Sequence, residues 1–414
     1  MSEEGILGRK IKGLFKVLCQ TEWNATVAGM IVALLSILIM AWWRPWGAVG
    51  AIRNWGDWIM YGIASLAGSE AGILELFDEA PRSILISSGS VIGIGFIAGA
   101  FISASFGNDF AIRIPPVLEM CKGMVAGVLM GVGAAFAGGC NVGGMYNAIG
   151  NLAANGFAMW LGLVAGVILG LKYIYWEMEH ISWGSGGAKT FNFPFGLKVV
   201  LGIIALVALV YGAYCYSGSD DDYVASLSGI LVISAGLGYT MQRGRWCMVQ
   251  GFREPHMTGD CTLAKSVALS IAIVAIGAAV LKYSVPMRAD GEAVLDPINY
   301  VRGTFGWGAV VGGFIFGFGA MLAGGCGSGT LWRVGEGQIK LWLVVPFFAI
   351  SNSMLVAWFN DNDIEADGVL GKFVYMPETF LGYGGTLFLI VFAMVIWYVI
   401  VDWNEDTGKM IIEM

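Results

Sequence analysis

Long apolar runs fill most of the chain and are separated by short polar segments. A run of roughly 20 apolar residues is long enough to cross a bilayer as an α-helix. The pattern therefore predicts an all-α polytopic membrane protein with about ten transmembrane helices. The predicted spans are residues 25–43, 83–105, 117–137, 156–174, 195–216, 225–242, 263–283, 303–323, 340–358 and 379–401.

Residues 46–68 do not fit this pattern well. The segment is shorter, is rich in glycine and tryptophan, and carries Arg53 and Asp57. We interpret it as an interfacial or partly re-entrant piece, because charged side chains are costly in the lipid core. An eleventh span is the alternative.

The distribution of charge predicts the orientation. Positive residues accumulate on the cytoplasmic side of membrane proteins. We therefore expect a cytoplasmic N-terminus without a cleavable signal peptide, a cytoplasmic loop at 243–262, and an acidic turn at 220–222 on the outer side of the membrane. The basic residues that precede the first span are Arg9, Lys10, Lys12 and Lys16.

Composition excludes several classes of function. The chain is 57% hydrophobic and 13% charged, and its net charge of −7 is spread thinly, so no nucleic-acid partner is expected. The seven cysteines include no Cys-x-x-Cys pair, and the two histidines are far apart in sequence, so neither a metal site nor a cofactor is expected. The cysteines without a distinctive context are Cys19, Cys121, Cys215 and Cys261.

One motif occurs twice. Residues 131–143 and 317–329 match at a constant offset, and both contain Ala-Gly-Gly-Cys, ending at Cys140 and Cys326. The duplication predicts two related halves. We place the N-terminal cytoplasmic segment at 1–24, the first membrane half at 25–216, the second at 225–402 and a cytoplasmic tail at 403–414. Whether the halves are parallel or inverted stays open.

The duplicated motif predicts a break in each helix. Each glycine destabilises a helix by about 1 kcal/mol relative to alanine, and two precede each cysteine. A helix that restarts after the break offers free backbone N–H groups to an anion. Asn141 and Ser328 add donors, and a thiol is a weak donor. Tight helix packing is the alternative explanation of the motif.

A weaker match suggests a third cysteine. Residues 106–115 align with 246–255, so that Gly107 faces Cys247 and Arg113 faces Arg253. The arginines before Cys247 either draw anions toward the mouth of a path or anchor the cytoplasmic side. Arg333, Glu336 and Gln338 follow the second motif and either line the path or lie at the interface.

These motifs carry a resemblance to a known family. The segments 137–144, 243–248 and 323–329 resemble the YeeE/YedE family of bacterial inner-membrane sulfur-transport proteins. The length and the run ending at Pro116 resemble the YedE branch, whose members are proposed to handle selenium. The resemblance implies uptake of thiosulfate or a related anion past cysteine relay points. Gly107 departs from the cysteine pattern.

We therefore expect a transporter of a small sulfur- or selenium-containing anion in the lipid bilayer, and no catalysis. A cytoplasmic sulfur-carrier protein is a candidate partner. A membrane-embedded sulfurtransferase or thiol redox enzyme is the alternative, which requires an activated thiolate and a resolving partner. The expected pathway residues are Cys140, Cys326, Cys247, Gly138, Gly139, Asn141, Gly324, Gly325, Ser328 and Arg253.

Overall fold

The apolar runs form helices because a backbone in lipid must satisfy its hydrogen bonds within its own segment. The computed structural model describes residues 3–67, 72–181, 187–288, 303–365 and 367–412. Within these residues, ten helices are long and apolar enough to cross a membrane. The predicted class and the number of spans are therefore confirmed.

The helices and the one short sheet follow each other along the chain. Strands β1 (Ala111–Ile114) and β2 (Lys189–Asn192) pair antiparallel, with Ala111 opposite Asn192. A π-helical turn, Asn141–Tyr146, leads directly into α6. The helices are α1 Glu3–Phe15, α2 Ala25–Trp42, α3 Ala48–Ala67, α4 Ser88–Phe106, α5 Val117–Phe136, α6 Asn147–Gly150, α7 Asn155–His180, α8 Phe195–Ser217, α9 Asp222–Arg243, α10 Met248–Met257, α11 Thr262–Arg288, α12 Trp307–Ala323, α13 Gly327–Gly335, α14 Ile339–Asp361 and α15 Gly382–Thr407.

Glycine contacts reveal that α5 and α12 run in opposite directions. A Cβ built on Gly133 would lie 2.5 Å from the Phe316 nitrogen, whereas one built on Gly319 would lie 3.0 Å from the Met130 nitrogen. A residue later in α5 therefore contacts a residue earlier in α12, as expected for two antiparallel helices. Each helix is followed by a Gly-Gly-Cys break and a short helix. The two copies of the motif are thus inverted, a relation that the sequence left open.

The neighbours of α5 and α12 repeat this inversion. Gly127 of α5 packs on Val344 of α14, and Gly166 of α7 packs on Phe314 of α12. In each half, the helix that follows the short helix (α7 after α6, α14 after α13) packs against the helix that precedes the Gly-Gly-Cys break of the other half (α12 and α5, respectively). Small residues at these positions let helix backbones approach closely in lipid.

A second inverted pair of broken helices accompanies the first. Helix α2 breaks before α3, and α9 breaks before α10. Gly244 packs on Ala28, while Gly229 packs on Trp42, so α2 and α9 are antiparallel. We call the side at which α2 begins the N-terminal face, and the side at which α2 ends the distal face.

This second pair corrects the alignment of residues 106–115 with 246–255. Phe106 ends α4, whereas Trp246 lies in the break between α9 and α10. The residue in the matching break of the first half is Trp46, and both tryptophans are buried. The counterpart of Cys247 is therefore Gly47 and not Gly107.

Helix α3 accounts for the ambiguous segment 46–68. It begins deep in the molecule, where a Cβ on Gly47 would lie 3.5 Å from the Gly143 Cα. It then packs along α14, and its end contacts the turn Gly72–Phe77. The backbone before α3 lies inside the protein, as non-helical backbone at this depth requires. Whether α3 is re-entrant or an eleventh span stays a prediction.

Candidate functional site

The two Gly-Gly-Cys breaks have the same backbone geometry. Gly138 and Gly324 have φ values of +67° and +82°, in the left-handed region that favours glycine. Cys140 and Cys326 then adopt extended backbone and cap the next helical turn. The Cys140 carbonyl accepts the Gly144 N–H at 2.6 Å, and the Cys326 carbonyl accepts the Thr330 N–H at the same distance. The glycines therefore end one helix so that the cysteine can start another.

Cys247 caps the third restarted helix. It has extended backbone between α9 and α10, and its carbonyl accepts the Gly251 N–H at 3.1 Å. Gly47 stands directly before α3 in the fourth break. Three cysteines and one glycine thus stand at the starts of the helices that follow the breaks. Such starts carry the partial positive charge of the helix dipole.

The three thiols lie close together in the protein interior. The Sγ atoms of Cys247 and Cys326 are 3.4 Å apart. A Cβ built on Gly327 would lie 3.1 Å from the Cys140 Sγ, so Cys140 packs directly against the second break. Each of these cysteines is at most 1% exposed. Burial alone would fit the packing explanation, but the shared cap geometry and the proximity of the thiols are more specific.

Polar groups join the two breaks. The Asn141 Oδ1 accepts the Gly327 N–H at 3.3 Å, which links the first short helix to the start of α13. The Cys326 Sγ accepts the Gly329 N–H at 3.3 Å and lies 3.6 Å from the Ser328 Oγ. The side-chain nitrogen of Asn141 is buried and has no hydrogen-bond partner among the residues that the structure describes.

A cavity leads from the distal face to Cys140. Its volume is about 510 Å³, and its walls include both glycines of the first motif, Gly138 and Gly139. Cys247 and Cys326 are not among the lining residues. The cavity therefore ends at the first thiol. Its polar lining consists of Arg44, Arg53, Asn147, Asn352, Asn360 and Glu365, together with the thiol of Cys140.

Charge in this cavity is predominantly positive. The lining includes two arginines, Arg44 and Arg53, and one acidic residue, Glu365. Burial raises the pKa of Glu365, and the positive charge of Arg53 lowers it to a smaller extent. The carboxyl is therefore neutralised at a higher pH than an ordinary glutamate, which favours anions in the cavity as the pH falls.

Ion pairs lie on the side of the thiols that faces away from the cavity. Arg243 pairs with Asp109, and Arg245 pairs with Glu336. Arg113 lies 3.6 Å from the same Glu336 carboxylate, which is fully buried. Glu336 is thus held in a network between the halves, near the N-terminal face. The arginines that precede Cys247 in sequence have carboxylate partners, so their charge is largely compensated.

The predicted pathway residues divide into three groups. Gly138, Gly139 and Cys140 line the cavity. Asn141, Cys247, Gly324, Gly325, Cys326 and Ser328 surround the junction of the breaks. Arg253 lies in α10 and pairs with its neighbour Glu254; no contact in the described part of the chain joins it to a thiol.

Sequence reasoning missed several lining residues. Glu365 lies far from Arg44 and Arg53 in sequence and meets them only in the cavity. Gly47 could have been found, because Trp46-Gly47 repeats the local pattern of Trp246-Cys247. The alignment that we made with Phe106-Gly107 obscured that match.

Comparison with known proteins places the chain in a family. A family model described as sulphur transport matches residues 5–169 and 243–411. The probable transporter YedE of Escherichia coli (strain K12) is 24% identical over 375 residues, which cover 87% of each chain.

Two thiosulfate transporters match a shorter part. TsuA of Escherichia coli (strain K12) is 35% identical over 130 residues, 31% of this chain and 34% of TsuA. TsuA of Spirochaeta thermophila is 33% identical over 120 residues, 29% of this chain and 33% of that protein. The family match extends over more than half of the chain. The resemblance to the YeeE/YedE proteins is therefore confirmed, and the chain is a multi-pass membrane protein of the sulphur transport family.

Proposed function

We propose that the protein transports a small thiosulfate-like anion from the distal cavity past Cys140 to the thiols of Cys326 and Cys247. The observation that carries the proposal is the cavity of about 510 Å³ that ends at Cys140, with the other two thiols behind it. The names of the two TsuA relatives support a sulfur anion as the substrate.

The chemistry of the site suits passage of an anion. Neutral thiols donate only weak hydrogen bonds, and the helix starts add partial positive charge. Several weak sites in series let an ion enter and also leave, whereas one tight site would retain it. The sulfur end of the anion contacts each thiol in turn, and no covalent bond forms.

The direction of transport follows from the proposed orientation. The basic residues before α2 put the N-terminal face in the cytoplasm of a bacterium, by the positive-inside rule. The cavity, lined by Arg44 after the end of α2, then opens to the periplasm. Uptake thus runs from the periplasm toward the cytoplasm, where a sulfur-carrier protein is the proposed acceptor. A selenium analogue of the anion is a second proposed substrate, because selenium resembles sulfur in size and charge.

Transport can be tested with purified protein in proteoliposomes. Labelled thiosulfate should accumulate, and Cys140→Ala or Cys326→Ala should abolish or severely reduce uptake. Each substitution should cost only about 1–2 kcal/mol of stability, because a small cavity replaces the sulfur. Cys261→Ala is the matched control, since Cys261 is equally buried but contacts Asn404 rather than the other thiols. Normal uptake by both pathway variants would contradict the proposal.

The paired thiols also favour a second candidate function. A sulfurtransferase or thiol redox enzyme needs a resolving partner, and Cys326 lies 3.4 Å from Cys247. In such an enzyme one thiolate would take a sulfur atom from thiosulfate and leave sulfite. Turnover of thiosulfate with cyanide, and a persulfide on either cysteine by intact mass, would support it. Uptake of unchanged thiosulfate without an adduct would favour transport.

A further inference from the structure

Arg333 is a buried cation whose contacts are formally neutral. Its side chain is 8% exposed in α13. Its guanidinium donates to the Gly329 carbonyl at 3.2 Å and to the Gln250 Oε1 at 3.1 Å, and it lies 3.9 Å from the Cys247 Sγ. The contact with sulfur is long and therefore weak. In the part of the chain that the structure describes, no carboxylate pairs with Arg333.

Other arginines near the centre differ in this respect. Arg243 pairs with Asp109, Arg245 and Arg113 with Glu336, and Arg253 with Glu254. A buried charge is costly unless an opposite charge compensates it. Arg333 therefore differs from these arginines in having no described carboxylate partner; its guanidinium carbon lies 4.1 Å from the centre of the Trp332 ring, and the Cys247 thiol is its other polarisable neighbour.

Two further donors, Thr330 in α13 and Asn141 in the other break, have no hydrogen-bond partner among the described residues. The Asn141 side-chain nitrogen and the Thr330 hydroxyl are buried in fully enclosed residues without a hydrogen bond. The Asn141 Oδ1 accepts the Gly327 N–H, which fixes this amide at the start of α13. A buried polar group that lacks a partner costs free energy, so these two donors are available to a bound anion or to a water molecule.

The first half lacks this arrangement. Asn147 follows Cys140 by the same number of residues as Arg333 follows Cys326. Its Nδ2 donates to the Trp46 carbonyl at 2.6 Å, so the amide is satisfied within the protein. The inverted repeat is therefore asymmetric, and the charged member lies beside the thiol pair rather than in the distal cavity.

We infer that Arg333, Asn141 and Thr330 form an inner anion-binding site for the oxygen atoms of an oxyanion that carries a terminal sulfur or selenium. The inference rests on the proposed transport function and names the class of substrate. The guanidinium supplies the compensating charge, while Cys247 and Cys326 contact the sulfur end. An anion that has passed Cys140 thus meets a cation before it reaches the ion pairs near the N-terminal face.

Binding can be measured separately from transport. Thermal unfolding of the detergent-solubilised protein should be followed with thiosulfate, sulfite, sulfate, selenite or chloride. Thiosulfate should raise the melting temperature of the wild-type protein, and the rise should disappear in Arg333→Gln. Without an anion, Arg333→Gln should melt no lower than wild type, because it removes an uncompensated charge. A structural role would instead lower the melting temperature.

Two more variants and a control complete the test. Thr330→Val keeps the shape of the side chain and removes only the unpaired hydroxyl, so it should fold normally and bind thiosulfate several-fold more weakly. Arg333→Lys keeps the charge and should retain part of the binding. Arg9→Gln, at an exposed position in α1, should behave as wild type. In proteoliposomes, Arg333→Gln should raise the half-saturating thiosulfate concentration about tenfold or more.

The outcomes distinguish this site from the proposed function. Thiosulfate stabilisation that depends on Arg333, without uptake by the wild type, would support the site and overturn the transport proposal. The site would be overturned, and the transport proposal kept, by the following result. The wild type takes up thiosulfate, and Arg333→Gln and Thr330→Val show unchanged thiosulfate binding and an unchanged half-saturating concentration. Absence of stabilisation by any anion tested would also overturn the site.

Discussion

At the scale of single residues, the thiols of Cys247 and Cys326 are close enough to react with each other. Their sulfur atoms are 3.4 Å apart, whereas a disulfide bond is about 2.05 Å long. Closing that gap requires the sulfur atoms to approach each other by little more than 1 Å. The pair is therefore a specific reporter of the central geometry.

Mild oxidation should join this pair. Treatment with a small peroxide should form one disulfide, which lowers the intact mass by two hydrogens and stops uptake. A reductant should restore the original mass and the uptake. Peptide mapping should identify Cys247 and Cys326. Cys247→Ser cannot form the bond and serves as the control. If both thiols remain open to alkylation after unfolding of the oxidised protein, the distance between them is wrong.

A carboxyl group in the cavity predicts a pH dependence. Glu365 has a pKa raised by burial, so its negative charge is lost at a higher pH than that of an ordinary glutamate. The charge repels an incoming anion, and uptake should therefore rise about two- to fivefold at low salt as the external pH falls through this pKa.

Glu365→Gln identifies the group responsible. This variant should show at neutral pH the faster uptake that wild type reaches only at acid pH, and its dependence on external pH should be flat in that range. Glu79→Gln is the control, because Glu79 lines a neighbouring surface pocket and not the cavity that reaches Cys140. A wild-type pH profile in Glu365→Gln would contradict the prediction.

At the scale of elements, the helix breaks depend on close contact between the halves. A Cβ built on Gly327 would lie 2.9 Å from the Cys140 Cβ, nearer than real Cβ contacts come. The start of α13 therefore tolerates no side chain. Gly143 lies in the other break and lines the cavity, and a Cβ there would meet nothing within 4 Å.

The two glycines form a matched pair of substitutions. Gly327→Ala should displace Cys140 and reduce uptake at least tenfold, with a stability loss of about 1–3 kcal/mol from overpacking. Gly143→Ala should leave both uptake and stability close to wild type. Uptake and thermal unfolding of the two variants, measured side by side, test this. Equal activity would mean that the contact between the breaks is not needed.

At the scale of the whole molecule, the inversion of the repeats constrains the topology. Helix α5 runs from the N-terminal face to the distal face, and α12 runs back. The two motif helices therefore reach the central thiols from opposite sides.

Reporter fusions can determine the orientation. Fusions after residues 10 and 258 should report a cytoplasmic location, and a fusion after residue 220 a periplasmic one, by the positive-inside rule. All three fusions fall outside the spans of 25–42 and 262–284, and residue 220 lies between α8 and α9. The reverse pattern would make the cavity cytoplasmic and would turn the proposed uptake into export. Placement of residues 10 and 220 on one side would contradict the span count.

The sequence by itself determined the membrane class and the ten spans, and it contained the duplicated motif. Apolar length is a local property, since each transmembrane helix satisfies its own backbone. Glycine pairs weaken a helix locally, and the duplication of a glycine pair before a cysteine was visible without a fold. The division of the chain at 217–224 stays a prediction, as do the transport roles of Cys140, Cys326 and Cys247.

Only the tertiary structure decided which distant residues meet. The inversion of the halves follows from packing between α5 and α12, and local sequence does not encode the direction in which two helices pack. The correspondence between Gly47 and Cys247 in the two halves also follows from tertiary packing. So does the cavity that Arg44 and Arg53 line. Arg253 and Arg333 show why the sequence alone did not identify the buried arginine. Both are arginines close to a motif cysteine in sequence, but one pairs with Glu254 while the other is buried beside the thiols without a described carboxylate, and this difference depends on three-dimensional neighbours.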